Sequence, residues 1–256
     1  MLKYILAAGF LFSGSIAHAQ NLTFDTSVSV EKLYATFKPA EAFNIAAQTQ
    51  LRFGDFGLQA DYSFSAINNS PVFATPTSPR ISMELSVLGV HGSYSITNAL
   101  RAGAFATYQF APNRPNAAMY TVGAEAMVSF GKTDIEAAAA IEFPVNNVSN
   151  LLAGNLFLAA YHTVSPRLEL SVETSAWVSD MGPISRIILA SANVKYTLPT
   201  APLSLKLGVE NAYFTWRAPL TSIRIGVSYD FGTPSEFRAF GERGMDFAEL
   251  TVGARS

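Results

Sequence analysis

Residues 43–64 read Phe43-x-Ile45-x-Ala47-x-Thr49-x-Leu51-x-Phe53, then Gly54-Asp55, then Phe56-x-Leu58-x-Ala60-x-Tyr62-x-Phe64. The skipped positions are small or polar: Asn44, Ala46, Gln48, Gln50 and Arg52 on the way in, Gly57, Gln59, Asp61 and Ser63 on the way back. A period of two gives each run one apolar and one polar face, and a Gly-Asp pair between such runs is a tight hairpin turn. The same alternation returns at 100–110, 120–130, 135–143, 168–178, 203–209 and 223–231. Repeated two-faced strands of about ten residues with aromatic side chains near their ends are the pattern of a transmembrane β-barrel.

Composition agrees with that reading. Charged residues make up 14% of the 256, against the ~25% of an average soluble domain. Mean hydropathy is only +0.22, and no apolar run outside the first twenty residues approaches the roughly 20 residues of a helical span. No shift in composition divides the chain into two domains. At the N-terminus, Met1-Leu2-Lys3, an apolar stretch over 4–16 and Ala17-His18-Ala19 have the layout of an export signal, with cleavage expected after residue 19. Cysteine is absent, so stability has to come from closing the sheet, which removes its edges. A net charge of −2 gives no basic footprint for nucleic acid, and no nucleic-acid partner is expected.

The resulting organisation is a signal peptide over 1–19, an all-β, antiparallel up-and-down barrel of about 12 strands over 20–231, and a C-terminal extension over 232–256. Connections alternate between tight turns (54–55, 97–98, 131–132, 165–166) and longer loops (65–79, 111–117, 144–150, 179–183), as expected for short periplasmic turns and longer external loops. A change of phase between Val87 and Leu88 suggests a β-bulge. Residues 151–164 are apolar on both faces, and their register stays open. Phe53, Phe56, Phe130, Tyr196 and Tyr229 gather at one set of strand ends and Tyr108, Tyr120, Phe143 and Tyr213 at the other, the arrangement of two interfacial girdles.

With the apolar face on lipid, the alternate positions line the interior. The expected pore-lining set is Gln50, Arg52, Gln59, Asp61, Glu84, Arg101, Glu125, Glu136, Glu169, Glu173, Lys195, Lys206, Glu210 and Arg224. Charges are costly in hydrocarbon, so their confinement to one face implies that this face is wet or internally paired. Acidic positions concentrate between 125 and 173, and basic ones fall at 52, 101, 195, 206 and 224, which suggests opposed acidic and basic arcs and a transverse field. The same charges could instead zip the lumen shut, because barrels of about eight strands are filled by their own side chains and those of about sixteen are open.

Catalysis has little support. Only His91 and His162 remain beyond the signal, and neither sits in a nucleophile motif. No metal-ligand spacing or phosphate-binding loop is present, so no cofactor is expected and the chain does not read as an enzyme.

The octet Arg224-Ile225-Gly226-Val227-Ser228-Tyr229-Asp230-Phe231 resembles the C-terminal assembly signal of bacterial outer-membrane proteins, with Gly226, Tyr229 and Phe231 at its marked positions. With the signal peptide and the repeated hairpins, residues 22–231 resemble small Gram-negative porin-like β-barrels. That resemblance implies an outer-membrane location, lipids around the barrel, handling by the barrel-assembly machinery, and passive diffusion of small hydrophilic solutes or ions. A closed structural or adhesive barrel is the alternative. Homo-oligomers occur in such proteins, and the Ala-rich outer faces at 102–106, 124–126 and 137–139 are smooth enough to host a contact. One departure is that the chain continues past Phe231 for twenty-five residues. This extension is expected in the periplasm, with a lumen plug or an extra hairpin around 241–244 as the other readings.

Overall fold

A computed structural model describes residues 21–34, 40–68, 83–112, 114–145, 153–179, 186–214, 219–232 and 238–241. Twelve strands follow in order: β1 (Asn21–Tyr34), β2 (Ala40–Phe53), β3 (Phe56–Asn68), β4 (Met83–Ser95), β5 (Leu100–Ala111), β6 (Arg114–Phe130), β7 (Thr133–Pro144), β8 (Ala153–Ser165), β9 (Leu168–Ser179), β10 (Arg186–Thr197), β11 (Leu203–Phe214) and β12 (Leu220–Gly232). Each pairs antiparallel with its neighbours in sequence, and β1 closes the sheet against β12 from Thr23↔Gly232 to Tyr34↔Thr221. Closure leaves no unpaired strand edge, a requirement for backbone that sits in hydrocarbon.

Local chemistry sets the tight end. Gly54 (φ 62°) and Gly131 (φ 61°) lie in the left-handed region demanded by the primed turns that match strand twist. The connections at 54–55, 96–99, 131–132, 166–167 and 198–202 therefore share one rim with the start of β1 and the end of β12.

Alternation sets the two faces. Leu156 (61% exposed), Ile225 (64%), Val30, Val172, Leu207 and Tyr120 point outward, and such a belt of exposed apolar side chains is suited to lipid. Glu136 (0% exposed), Gln59, Glu125 and Glu142 are buried inside. The girdle aromatics Phe56, Phe130, Tyr196 and Tyr229 are exposed near the tight-turn rim, and Tyr120, Phe143 and Tyr213 near the opposite one.

Three expectations change. The bulge at 87–88 is absent: β4 pairs without interruption to β3 and β5, so Leu85 and Val87 turn inward and are buried while Leu88 and Val90 face out. The apparent phase change is an apolar patch on the inner wall, which alternation alone reads as a slip. The expected loop 111–117 is shorter, because β6 begins at Arg114 and the register shifts between Phe110 and Ala111. Of the segment 151–164, residues 153–163 acquire a register, with Asn155, Phe157 and Tyr161 on the inward parity and Leu156 and Leu158 outward. The signal peptide (1–19) and most of the loops expected at 65–79, 144–150 and 179–183 lie outside the described residues.

Candidate functional site

The register places thirteen of the fourteen candidate lining residues on the inward parity. They are Gln50, Arg52, Gln59, Asp61, Arg101, Glu125, Glu136, Glu169, Glu173, Lys195, Lys206, Glu210 and Arg224. Glu84 differs. It pairs with Ala66 on the outward parity near the long-loop end of β4, because the uninterrupted ladder removes the slip that would have turned it in.

The interior divides into two parts. Across β3–β6 it is packed. His91, 2% exposed, stands between two carboxylates, with Nε2 2.8 Å from Asp61 Oδ2 and Nδ1 2.9 Å from Glu125 Oε1. The Gln59 amide donates to both Asp61 oxygens at 3.1 Å. Phe105 stacks on His91 with centroids 5.5 Å apart, and its ring lies where a Cβ on Gly123 would be. In β7 to β9, Tyr161 donates to Glu136 at 3.3 Å and Trp177 Nε1 donates to Glu142 at 2.6 Å.

Residues 238–241 of the C-terminal extension lie against this packed side. The expectation of a periplasmic location is corrected for its four described residues, because 238–241 lie inside the barrel. Phe240 is 1% exposed; its carbonyl accepts from Gln48 and Gln59, each at 2.9 Å, and its N–H donates to Gln59 Oε1 at 2.9 Å. The Gly241 N–H donates to Glu136 at 3.0 Å, and the Arg101 guanidinium donates to the Arg238 carbonyl and covers the Phe240 ring at 4.1 Å. Arg238 pairs with Glu169, approaches Asp134 at 3.5 Å and stacks on Tyr161 at 4.1 Å. Every one of these wall residues lies in the tight-turn half of its strand. The sequence offers a lumen plug only as one of the other readings, because hydrogen bonds from wall side chains to a backbone leave no periodic trace beyond the Arg238-x-Phe240-Gly241 run.

Next to these contacts lies a cavity of about 800 Å³, lined by residues of every strand except β4, Phe105, Gln109, Thr121, Glu142 and Tyr161 among them, and by the 238–241 segment. Its charges are interleaved. Lys195 Nζ lies 2.8 Å from Asp230 and 3.8 Å from Asp25, and Arg224 lies 3.1 Å from Glu31 and 3.7 Å from Glu210. The expected basic arc on β10 to β12 therefore carries its own carboxylates instead of opposing a separate acidic arc. The cause is closure, which brings Asp25 and Glu31 of β1 against β12.

In the octet, Gly226 sits at the closing seam between Ser29 and Lys206, where an added Cβ would come 2.8 Å from Ser29 Cβ and 2.9 Å from the Val28 carbonyl. Tyr229 faces outward from the same strand.

No protein-family model and no curated protein matches the chain. Solved structures do resemble it. The NanC porin aligns over 80% of this chain and 98% of its own at a TM-score of 0.61 and 7% identity. An outer-membrane channel from Pseudomonas putida F1 aligns over 83% and 95% at a TM-score of 0.60 and 11% identity. By fold, the chain is a closed β-barrel like those of outer-membrane porins. The KdgM porin in complex with disordered oligogalacturonate aligns over 80% of this chain and 99% of its own, with a TM-score of 0.50 and 13% identity. At these identities the likeness concerns the fold of the porin-like barrel, and its own inner wall has to supply the argument for what passes.

Proposed function

We propose that the protein is an outer-membrane channel for passive diffusion of small hydrophilic solutes or ions, with the thirteen inward candidate residues as wall groups. The observation that carries this reading is the polar cavity of about 800 Å³ inside the closed barrel. Seven carboxylates (Asp25, Glu31, Glu142, Glu169, Glu173, Glu210 and Asp230) and four basic groups (Lys195, Lys206, Arg224 and Arg238) border it. The formal excess of negative charge favours cations and neutral solutes over anions. Oligogalacturonate, found with the KdgM porin, is a polyanion, and this wall is poorly matched to one. Lipids would cover the outer face, and the assembly machinery would read the octet through Gly226, Tyr229 and Phe231. The outward alanines 102, 104, 106, 124, 126, 137 and 139 merge into one smooth patch on β5 to β7, the face proposed for any homo-oligomer.

The test is single-channel recording of refolded residues 20–256 in a planar bilayer, with the reversal potential read across a salt gradient. Discrete steps with cation preference are expected. Anion preference would contradict the wall argument. Silence from a folded, heat-modifiable barrel would overturn the channel and favour the closed structural or adhesive reading, which the interior ion pairs and the 238–241 segment also support.

A further inference from the structure

We propose that the lumen wall carries a peptide-binding site, occupied by the chain's own residues 238–241, and that this bound segment narrows the pathway. The inference rests on the channel reading above for its effect on conductance, but not for the site itself. The wall recognises a peptide unit in the way a neighbouring strand would. The Gln59 carboxamide both donates to the Phe240 carbonyl and accepts from its N–H at 2.9 Å, which pairs one extended residue in both directions. Glu136 accepts the next N–H, from Gly241, at 3.0 Å, and Arg101 takes the Arg238 carbonyl. With Gln48 of β2 also donating to the Phe240 carbonyl, backbone groups of residues 238, 240 and 241 are read by four strands, β2, β3, β5 and β7.

The two long side chains add selectivity. Phe240 lies under the Arg101 guanidinium at 4.1 Å and is almost wholly buried, while Arg238 stacks on Tyr161 at 4.1 Å and pairs with Glu169. An aromatic and a cation two residues apart in an extended peptide are therefore the ligand chemistry. None of these contacts is covalent, and each wall group is polar enough for water to replace the segment when it leaves.

The size of the effect follows from geometry. Twelve strands about 4.7 Å apart and tilted about 40° close at a backbone radius of roughly 12 Å, and side chains reaching in about 5 Å leave a bore of roughly 7 Å radius. An extended segment occupies about 4.7 by 10 Å, close to a third of that cross-section. Release should then raise unit conductance about 1.4-fold.

The experiment uses the full chain in a planar bilayer. Arg238→Ala/Phe240→Ala is compared with the native protein, and a Gln48→Cys/Phe240→Cys pair, in a protein with no cysteine of its own, is bridged with a short bifunctional methanethiosulfonate. A cross-link in the membrane-inserted barrel, conductance about 1.4-fold higher in the double alanine variant, and a fall on bridging are expected. A channel that conducts while the cross-link fails to form, or while native and double-alanine conductances agree, would overturn the site and leave the channel standing. A cross-link that forms in a barrel silent in every variant would remove the channel and retain the peptide site.

Discussion

Replacing His91 with alanine should destabilise the barrel more than any other single truncation of a neutral-sized interior side chain on β3 to β6. The ring separates two carboxylates whose side chains are 6% and 0% exposed, Asp61 and Glu125. Carboxylates only accept, so the ring serves each of them through whichever nitrogen carries a proton. Without it, two negative groups an imidazole ring apart repel by roughly 2 kcal/mol at an effective dielectric near 20. The lost stacking on Phe105, at 5.5 Å, and the void left beside it add to this. A total of about 3–5 kcal/mol is expected, the range for breaking a buried charge pair from one side. Urea unfolding of the protein in lipid vesicles, followed by tryptophan fluorescence and by the electrophoretic heat shift, would read it. Neutralising the carboxylates in the same background, His91→Ala/Asp61→Asn/Glu125→Gln, should recover about half of the loss, since the repulsion is then gone. A single variant within about 1 kcal/mol of native, or a triple variant no better than the single, would refute the electrostatic account.

Two glycine substitutions test the tight contacts of the wall. Gly123→Ala puts a Cβ 2.5 Å from the Phe105 ring and 2.6 Å from the Ala139 carbonyl, so it should cost about 1–3 kcal/mol in the same unfolding assay, and adding Phe105→Leu should relieve only the ring's share. Gly226→Ala drives a Cβ into Ser29 and the Val28 carbonyl at the seam and should lower the heat-modifiable folded fraction, whereas Gly92→Ala, with nothing within 4 Å, should fold as native; equal yields would show that the octet glycine has no closing role.

The barrel was legible because its determinants are local and repeated. Gly54 and Gly131 mark turns, alternation marks faces, and neither depends on distant residues. What failed to show were features set by contact across the bore. Leu85 and Val87 face inward because the β3 and β5 ladders run through them unbroken, so an apolar inner patch imitated a bulge and carried Glu84 to the wrong face. Trp177 and Phe105 fall on the inward parity and could have been assigned there, yet nothing local announces that one meets Glu142 and the other His91. The pairing of Lys195 and Arg224 with Asp25, Asp230 and Glu31 needed the closing register of β1 on β12, which joins residues at opposite ends of the sequence.

The division of the interior bears on whether the lumen is wet. Around residues 238–241, Gln59 and Glu136 bond the backbone of that segment. Farther along β5 and β6 this is no longer so. The amide of Gln109 and the hydroxyl of Thr121 are buried, border the cavity and have no hydrogen-bond partner among the described residues. Left dry, such groups cost about 1–3 kcal/mol apiece, while a polar cavity of this size easily holds the waters that would satisfy them. A lumen built to close would be expected to spend apolar or mutually bonded side chains there, as it does around His91. The wall therefore argues for a hydrated path that touches Gln109 and Thr121 and runs past a bound peptide segment. That places control of the path in the reach of the 238–241 contacts instead of in the barrel wall itself.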